Sequence, residues 1–155
     1  MKSLLVILDN IRSVHNVGSV FRTSDAAGIE KIYLCGTTPT PIDRFGRARN
    51  DMAKVALGAE KTVPWEYAEN TLDIVKKLKT EGIKVFGVEQ YEGSVDYASV
   101  KYSEQCAFVF GNEVGGVSLD VLAECDEVIE IPMKGEKESL NVSVAVGVVL
   151  FRTSS

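Results

Sequence analysis

One stretch of the chain decides the fold, and it reads Phe108-Val109-Phe110-Gly111-Asn112-Glu113-Val114-Gly115-Gly116-Val117-Ser118. Its apolar start is typical of a buried parallel strand that stops at a glycine. A polar pair then precedes two further glycines, which allow the backbone to approach a ligand closely. Binding sites of open α/β folds lie at the carboxyl ends of their strands. The stretch therefore predicts a site at the rim of a parallel sheet.

The composition is that of a globular domain. The chain has 155 residues, of which 45% are hydrophobic and 25% are charged, and this is enough apolar material for a core. We expect a single domain over residues 1–155. The net charge of −5 argues against binding of nucleic acid by bulk electrostatic attraction, although it leaves room for a local basic patch.

The number and spacing of the cysteines and the histidine argue against a redox site and a metal site. Cys35, Cys106 and Cys125 are widely spaced and form no C-x-x-C pair, so we interpret them as reduced thiols of the core. His15 is the single histidine and does not make a metal site alone, so no metal is expected. The chain starts with a strand-like run and has no apolar run of about 20 residues. We therefore expect a cytoplasmic protein without a membrane span.

Strand and helix patterns alternate along the chain. Strands are predicted at residues 3–8, 31–35, 84–88, 107–110 and 127–131. Helices are predicted from Asn16 to Gly28, from Trp65 through Leu78 to Gly82, from Leu119 to Glu124 and from Asn141 to Phe151. Asn16 is a candidate N-cap, and Gly28 is a candidate C-terminal stop. This alternation predicts an α/β fold with a mainly parallel sheet and helices on both faces.

The pattern breaks between Gly36 and Ala59, where we expect a long surface loop with about one helical turn. Loops of this length in a compact domain are usually functional. The loop carries four basic residues, namely Arg44, Arg47, Arg49 and Lys54. It is either an ordinary solvated loop or a basic binding surface.

Two more segments place polar residues near predicted helix starts. In the first, Arg22 follows Asn16 by six residues, which is nearly two helical turns. In the second, Ser139 and Asn141 precede a very apolar helix. Helix capping explains each segment when it is taken alone. Neither G-x-G-x-x-G nor G-x-x-x-x-G-K-[ST] occurs in the chain, which favours a ligand without a phosphate group.

Taken together, the three segments resemble, in order and spacing, the signature motifs of the SpoU-type (TrmH-like) RNA 2′-O-ribose methyltransferases of the SPOUT superfamily. The matching residues are Asn16-Val17-Gly18 with Arg22, Phe110 to Gly115, and Ile131-Pro132-Met133 with Ser139 to Ala145. Shorter matches lie at residues 56–60 and 88–90. The resemblance covers nearly the whole chain.

The resemblance implies an α/β-knot fold, in which the C-terminal segment forms a trefoil knot, and a homodimer. It implies S-adenosyl-L-methionine as the cofactor and RNA as the substrate. We expect no separate RNA-binding domain, and we favour tRNA over rRNA because a single compact domain with an acidic surface can dock a small structured RNA more easily. The implied cofactor contacts are Val88, Glu89, Gly111, Ile131, Met133, Ser139 and Leu140. The basic loop itself supplies the candidate contacts to the RNA backbone, namely Arg44, Arg47, Arg49 and Lys54, and Phe45 within it is a candidate for stacking on a base.

The resemblance also implies catalytic roles for Arg22, Asn16, Glu113, Ser139 and Asn141. The arginine that matches Arg22 in the family is often proposed as the base. A guanidinium has a pKa above about 12 and gives up its proton reluctantly, so we expect Arg22 to bind a phosphate or the developing alkoxide. Two alternatives stay open: a non-enzymatic RNA- or cofactor-binding module on the same fold, and a protein that binds another adenosine-containing ligand.

Overall fold

A computed structural model describes residues 2–155, and a sheet of seven parallel strands lies at the centre of that part of the chain. The strands are β1 (Ser3–Asp9), β2 (Lys31–Cys35), β3 (Trp65–Ala68), β4 (Lys84–Val88), β5 (Val95–Asp96), β6 (Gln105–Gly111) and β7 (Glu127–Glu130). Their order across the sheet is β3-β2-β1-β6-β4-β7-β5, and each neighbouring pair is parallel. The predicted α/β class with a parallel sheet is confirmed.

Helices cover both faces of the sheet, as predicted. They are α1 (Val14–Ala27), α2 (Asn50–Ala56), α3 (Ala59–Thr62), α4 (Thr71–Thr80), α5 (Leu119–Glu124) and α6 (Val142–Thr153), with a 3-10 turn at Tyr97–Ser99. Successive side chains of a strand point to opposite faces. Leu4, Val6 and Leu8 accordingly belong to the core shared with α1, α2, α3 and α6, while Leu5 and Ile7 belong to the core shared with α4 and α5. Because both faces are covered, β1 reads as a continuous apolar run. None of the helices between residues 2 and 155 has the length and apolar character needed to cross a membrane.

The cysteine side chains lie in or beside these cores. Cys35 and Cys106 are buried, Cys125 is half-buried, and all three are free thiols, which confirms their interpretation from the sequence. Burial raises the pKa of the Cys35 and Cys125 thiols to about 12.

The helix predicted from Trp65 is wrong in its first part. Trp65–Ala68 instead form β3, which pairs with β2, and α4 starts only at Thr71. The Asn70 side chain caps α4 by accepting a hydrogen bond from the backbone N–H of Asp73 at 3.3 Å. The apolar residues of this segment fit a helical period. The extended conformation is selected by pairing with the neighbouring strand β2.

The stretch between Gly36 and Ala59 is more ordered than a surface loop. It contains α2, whose Met52 and Ala56 are buried, and α2 packs tightly on α1. A Cβ atom at Gly18 of α1 would lie 2.9 Å from the Cβ of Val55. The expectation of a loop with about one turn is therefore wrong after residue 49, because the apolar face of α2 belongs to the core.

The helix caps differ from the prediction at one position. Ser13, not Asn16, caps α1, and its hydroxyl accepts a hydrogen bond from the backbone N–H of Asn16 at 3.1 Å. The α1 helix ends at Gly28, which has a left-handed φ of 71°, as predicted. Asn141 caps α6 by accepting a hydrogen bond from the backbone N–H of Ser143 at 2.9 Å. The side chain of Asn16 is therefore free for another contact.

Candidate functional site

The four strands β1, β6, β4 and β7 are consecutive in the sheet, so the loops at their carboxyl ends meet at one edge. A cavity of about 410 Å³ opens among the loops that follow β4, β6 and β7, and this volume is typical of small-molecule sites. The seven residues predicted to contact a cofactor all line it, namely Val88, Glu89, Gly111, Ile131, Met133, Ser139 and Leu140. We call it the first cavity.

The charged side chains that line the first cavity are all acidic. Its described lining includes four carboxylates, those of Glu89, Glu113, Glu130 and Glu138, and no basic side chain. The other walls are largely apolar or glycine. Such a cavity suits a ligand with apolar faces and a positive charge and disfavours a phosphate.

A tight turn over residues 112–116 forms one wall of the first cavity. The Asn112 side-chain oxygen accepts hydrogen bonds from the backbone N–H groups of Val114 at 3.0 Å and Gly115 at 2.6 Å. Gly111 packs so closely on the backbone of Gly116 and Val117 that a Cβ atom would overlap both. The backbone of β6 therefore reaches the cavity only because residue 111 has no side chain.

Two contacts tie the neighbouring loops to this turn. The Glu89 carboxylate, after β4, accepts a hydrogen bond from the backbone N–H of Val117 at 2.9 Å. Gln90 donates from its side-chain nitrogen to the carbonyl oxygen of Glu138 at 2.7 Å. Glu89 thus lines the cavity and also holds its wall in place, and Gln90 is a positioning residue that the sequence motifs indicated only weakly.

The Glu113 carboxylate joins the three motif segments. Its Oε1 atom accepts a hydrogen bond from the Nδ2 of Asn16 at 3.0 Å and another from the Nδ2 of Asn141 at 3.1 Å. Asn16 is 9% exposed, whereas Glu113 is exposed. Three residues from α1, the turn after β6 and the start of α6 therefore meet at one oxygen atom.

A second cavity of about 400 Å³ borders the same turn. Its lining residues are Ile11, Arg12, Ser13, Asn16, Asn112, Glu113, Val114, Gly115 and Val142. Five of them, from Asn112 to Gly115 and Val142, also line the first cavity. The two cavities therefore adjoin along this turn, and Val114 within it is fully exposed, at 101%.

Asp9 is a buried carboxylate that the sequence analysis missed. It is 2% exposed, and it accepts hydrogen bonds from the Thr71 hydroxyl at 2.6 Å and from the backbone N–H of Ser118 at 3.2 Å. It thereby links the carboxyl end of β1 to the starts of α4 and α5. The sequence does contain a pattern that indicates Asp9, namely a polar pair, Asp9-Asn10, at the end of an apolar strand. The same pattern predicted a site at the end of β6.

The structure does not bring Arg22 into either cavity of its own chain. Arg22 is exposed on α1, beside Thr23, whose methyl carbon would lie 3.6 Å from a Cβ atom at Gly147 of α6. His15 is exposed on the same helix. Ser139 lines the first cavity. Of the five residues with implied catalytic roles, four therefore cluster around the 112–116 turn and Arg22 lies outside it.

The predicted RNA contacts form an exposed loop at residues 43–49 with Lys54 nearby on α2. Phe45 is 65% exposed, and the guanidinium carbons of Arg44 and Arg47 lie 4.9 Å and 5.0 Å from its ring centre. Arg47 also pairs with Asp43 at 3.4 Å. Arg49 pairs with Asp51 at 3.3 Å, so its charge is partly compensated.

The fold and the two-compartment site define an α/β protein with its ligand site at the strand ends of an open parallel sheet. The chain matches the SpoU rRNA Methylase family over residues 3–151, and it therefore belongs to that family.

Curated relatives agree with this membership. The chain is 36% identical over 150 residues to the 23S rRNA (guanosine-2'-O-)-methyltransferase RlmB of Neisseria meningitidis serogroup B, covering 97% of this chain and 57% of that protein. It is 32% identical over 154 residues to the tRNA (guanosine(18)-2'-O)-methyltransferase of Aquifex aeolicus, covering 97% of this chain and 68% of that protein. The chain thus spans little more than half of the RlmB relatives.

Solved structures show the same fold. The TrmH/SpoU tRNA modifying enzyme of A. aeolicus superimposes with a TM-score of 0.86 at 30% identity, over 99% of this chain and 75% of that one. The AdoMet-bound rRNA methyltransferase of Sinorhizobium meliloti gives a TM-score of 0.88 at 30% identity, over 97% of this chain and 55% of that one.

Proposed function

We propose that this chain is an S-adenosyl-L-methionine-dependent RNA 2′-O-ribose methyltransferase. The observation that carries the proposal is the meeting of Asn16, Glu113 and Asn141 at one carboxylate oxygen between two cavities. A transfer between two ligands needs two adjoining sites, because donor and acceptor must be held in contact and in line.

The first cavity fits the cofactor. Apolar side chains such as Val88 and Leu140 suit the faces of an adenine ring, and the backbone at Gly111 is open to its polar edge. The four carboxylates suit the positive charge of a sulfonium. S-adenosylmethionine bound there would supply an activated methyl group. The methyl group would pass to the ribose 2′-oxygen as its bond to sulfur breaks, with the hydroxyl proton taken up by water or by a phosphate of the substrate.

The residues around the turn hold and orient the acceptor in the second cavity. Asn16 and Asn141 fix the Glu113 carboxylate from two sides, so its second oxygen is free to accept a hydrogen bond from a ribose hydroxyl. Ser139 contributes a hydroxyl to the cofactor side. Their common task is orientation, which is the main requirement when the donor is already activated.

We infer that a second copy of the chain brings Arg22 to the site. Val144 and Phe151 are 50% and 52% exposed, and they lie seven residues apart on one face of α6. Gly147, on the same side of α6, lies against Thr23 of α1, the residue that follows Arg22. A homodimer would bury the face and place the guanidinium against a phosphate or the developing alkoxide of the partner's substrate. We also propose that the C-terminal segment forms the trefoil knot that the family resemblance implies.

Sedimentation at micromolar concentration tests the dimer. We expect a dimer for the wild type and a monomer for Phe151→Glu, with Phe45→Glu as a matched control that has the same substitution away from α6. A monomeric wild type would contradict the shared site.

We propose that the loop at residues 43–49 binds RNA. Phe45 offers an exposed ring on which a base can stack, and Arg44 and Arg47 beside it offer charge for the backbone. This local basic surface on a chain with a net charge of −5 would restrict RNA binding to one face. We propose a cytoplasmic location, with which an RNA substrate agrees.

The substrate we favour is tRNA, since a small structured RNA can dock on a compact acidic domain. A second candidate is rRNA, which is favoured by the 36% identity to the Neisseria RlmB protein. The two candidates share the chemistry and differ in the RNA fraction that becomes labelled.

Incubation with methyl-labelled S-adenosylmethionine and total RNA, followed by digestion to nucleosides, tests the function. We expect label in 2′-O-methylnucleosides, and separation of tRNA from rRNA identifies the substrate class. Cofactor binding without transfer would instead favour a binding module, and label on a base would contradict ribose methylation. Arg22→Lys adds a finer test, because near-full activity would show that a fork-shaped donor is not required there.

A further inference from the structure

Arg12 carries the positive charge of the second cavity. It is the one basic side chain among the described residues that line this cavity, whereas the lining of the first cavity has none. Arg12 is exposed. Across residues 2–155 it has no ion-pair partner, unlike Arg47 and Arg49. Its charge is therefore available for a ligand.

The backbone of Arg12 is held on both sides. The preceding residue, Ile11, is 2% exposed, and its N–H donates to the Thr38 hydroxyl at 3.0 Å. The following residue, Ser13, caps α1. Arg12 thus stands on a short, anchored link between β1 and α1, which is the kind of support that a positioning residue needs.

The charges of the second cavity dictate how a nucleotide enters it. Glu113 repels a phosphate, and its carboxylate accepts hydrogen bonds from hydroxyl groups. Arg12 attracts a phosphate, which its guanidinium can bind with two parallel hydrogen bonds. A nucleotide therefore fits with its ribose toward Glu113 and Asn16 and with a phosphate toward Arg12.

We propose that Arg12 binds a phosphate of the acceptor nucleotide and thereby positions its ribose in the second cavity. The proposal rests on the proposed function for the identity of the acceptor. It assigns the phosphate contact to a residue of the same chain, outside the three signature motifs, and leaves Arg22 for the charge that develops during transfer.

The experiment compares Arg12→Ala, Arg12→Lys and Lys101→Ala in the full chain. Lys101 is an exposed basic residue before β6, at the sheet edge opposite the cavities. Binding of the labelled RNA fraction, or of mixed tRNA if no RNA is labelled, is measured at several salt concentrations. The kinetic constants for RNA and the affinity for S-adenosylmethionine are measured in parallel.

For Arg12→Ala we expect the slope of log K against log salt to fall by about 0.7–0.9, the share of one phosphate contact. We expect kcat/KM for RNA to fall about 10- to 100-fold, the equivalent of one charge-assisted hydrogen bond. Arg12→Lys restores the salt slope and only part of kcat/KM, because it keeps the charge and loses the fork. Cofactor affinity stays at the wild-type value in each variant.

The proposal is overturned if Arg12→Ala has the salt slope of Lys101→Ala, or if it weakens cofactor binding as much as RNA binding. A wild type that transfers no methyl group contradicts the proposed function instead. In that case a reduced salt slope for Arg12→Ala still supports the phosphate contact, and an unchanged slope rejects it.

Discussion

Replacing Asp9 tests whether one buried carboxylate holds the loops of the site together. The side chain is 2% exposed and accepts four hydrogen bonds from protein donors. They come from the Thr71 hydroxyl at 2.6 Å, the Asn10 side chain at 3.1 Å, and the Ser118 N–H and hydroxyl at 3.2 Å and 3.4 Å. Asp9→Ala leaves these donors without their acceptor.

The expected loss of stability follows from the burial of the Thr71 hydroxyl. A buried donor that loses its acceptor costs about 1–3 kcal/mol, and Thr71 is 5% exposed. Ser118 is exposed, so water can replace its lost contact, and the expected decrease in the free energy of unfolding is about 1–3 kcal/mol. For a chain of this length each kcal/mol lowers the melting temperature by about 2–4 °C, so the total decrease is roughly 2–12 °C.

Urea unfolding monitored by circular dichroism measures this loss. Asp120→Asn is a matched control, since Asp120 is exposed in the first turn of α5 and its replacement should stay within about 0.5 kcal/mol. Because Ser118 directly follows Val117, which lines the first cavity, S-adenosylmethionine should also bind Asp9→Ala more weakly. A loss of stability below about 1 kcal/mol would refute the reasoning, since even one orphaned buried donor costs that much.

Three further changes test other parts of the structure. Gly111→Ala should weaken S-adenosylmethionine binding in calorimetry by roughly tenfold or more, the equivalent of about 1.4 kcal/mol of strain, because the new Cβ overlaps the following turn. Gly115→Ala is its control, since its Cβ meets only an ordinary contact at 3.5 Å, and equal affinities for the two variants would contradict the packing argument. Phe45→Ala should cost about 1–3 kcal/mol of RNA affinity, the value of one stacked base, whereas Phe45→Trp should retain it; a filter-binding result that ranks them equally would reject stacking. Burial raises the pKa of Cys35 and Cys125 from 9.0 to about 12, so the folded state favours the neutral thiols, and their contribution to stability is complete below pH 9 and lost as pH rises toward 12. Between pH 8 and pH 11, the urea midpoint should therefore decrease above pH 9, and it should decrease less steeply for Cys35→Ala than for the wild type. Equally steep decreases in the two proteins would contradict this prediction.

The apolar runs of the chain were enough to predict much of the fold. The predicted bounds of β2, β4 and α5 agree with the structure, and β1 and β6 extend the predicted runs by one to three residues. A parallel strand that is covered on both faces must be apolar throughout, so a short apolar run is compatible with few other structures. The polar pair after β6 likewise indicated the edge of the sheet at which both cavities lie.

Contacts between distant residues decided the rest. The sequence of Trp65–Ala68 fits a helix or a strand, and pairing with β2 selects the strand. Asn16 is an acceptable helix cap by residue type, but Ser13 takes that position.

By itself, then, the sequence determined the class of fold and the edge of the sheet that holds the site, because apolar periodicity and polar strand ends are local properties. The residues around the first cavity were implied by the resemblance of its motifs to those of the SpoU-type methyltransferases. Tertiary structure alone decided that Asn16 reaches Glu113, 97 residues away, that Arg12 lines a second cavity and that Arg22 lies outside both. Such distances depend on the order of strands in the sheet, and the order is selected by the packing of the whole chain rather than by any one segment.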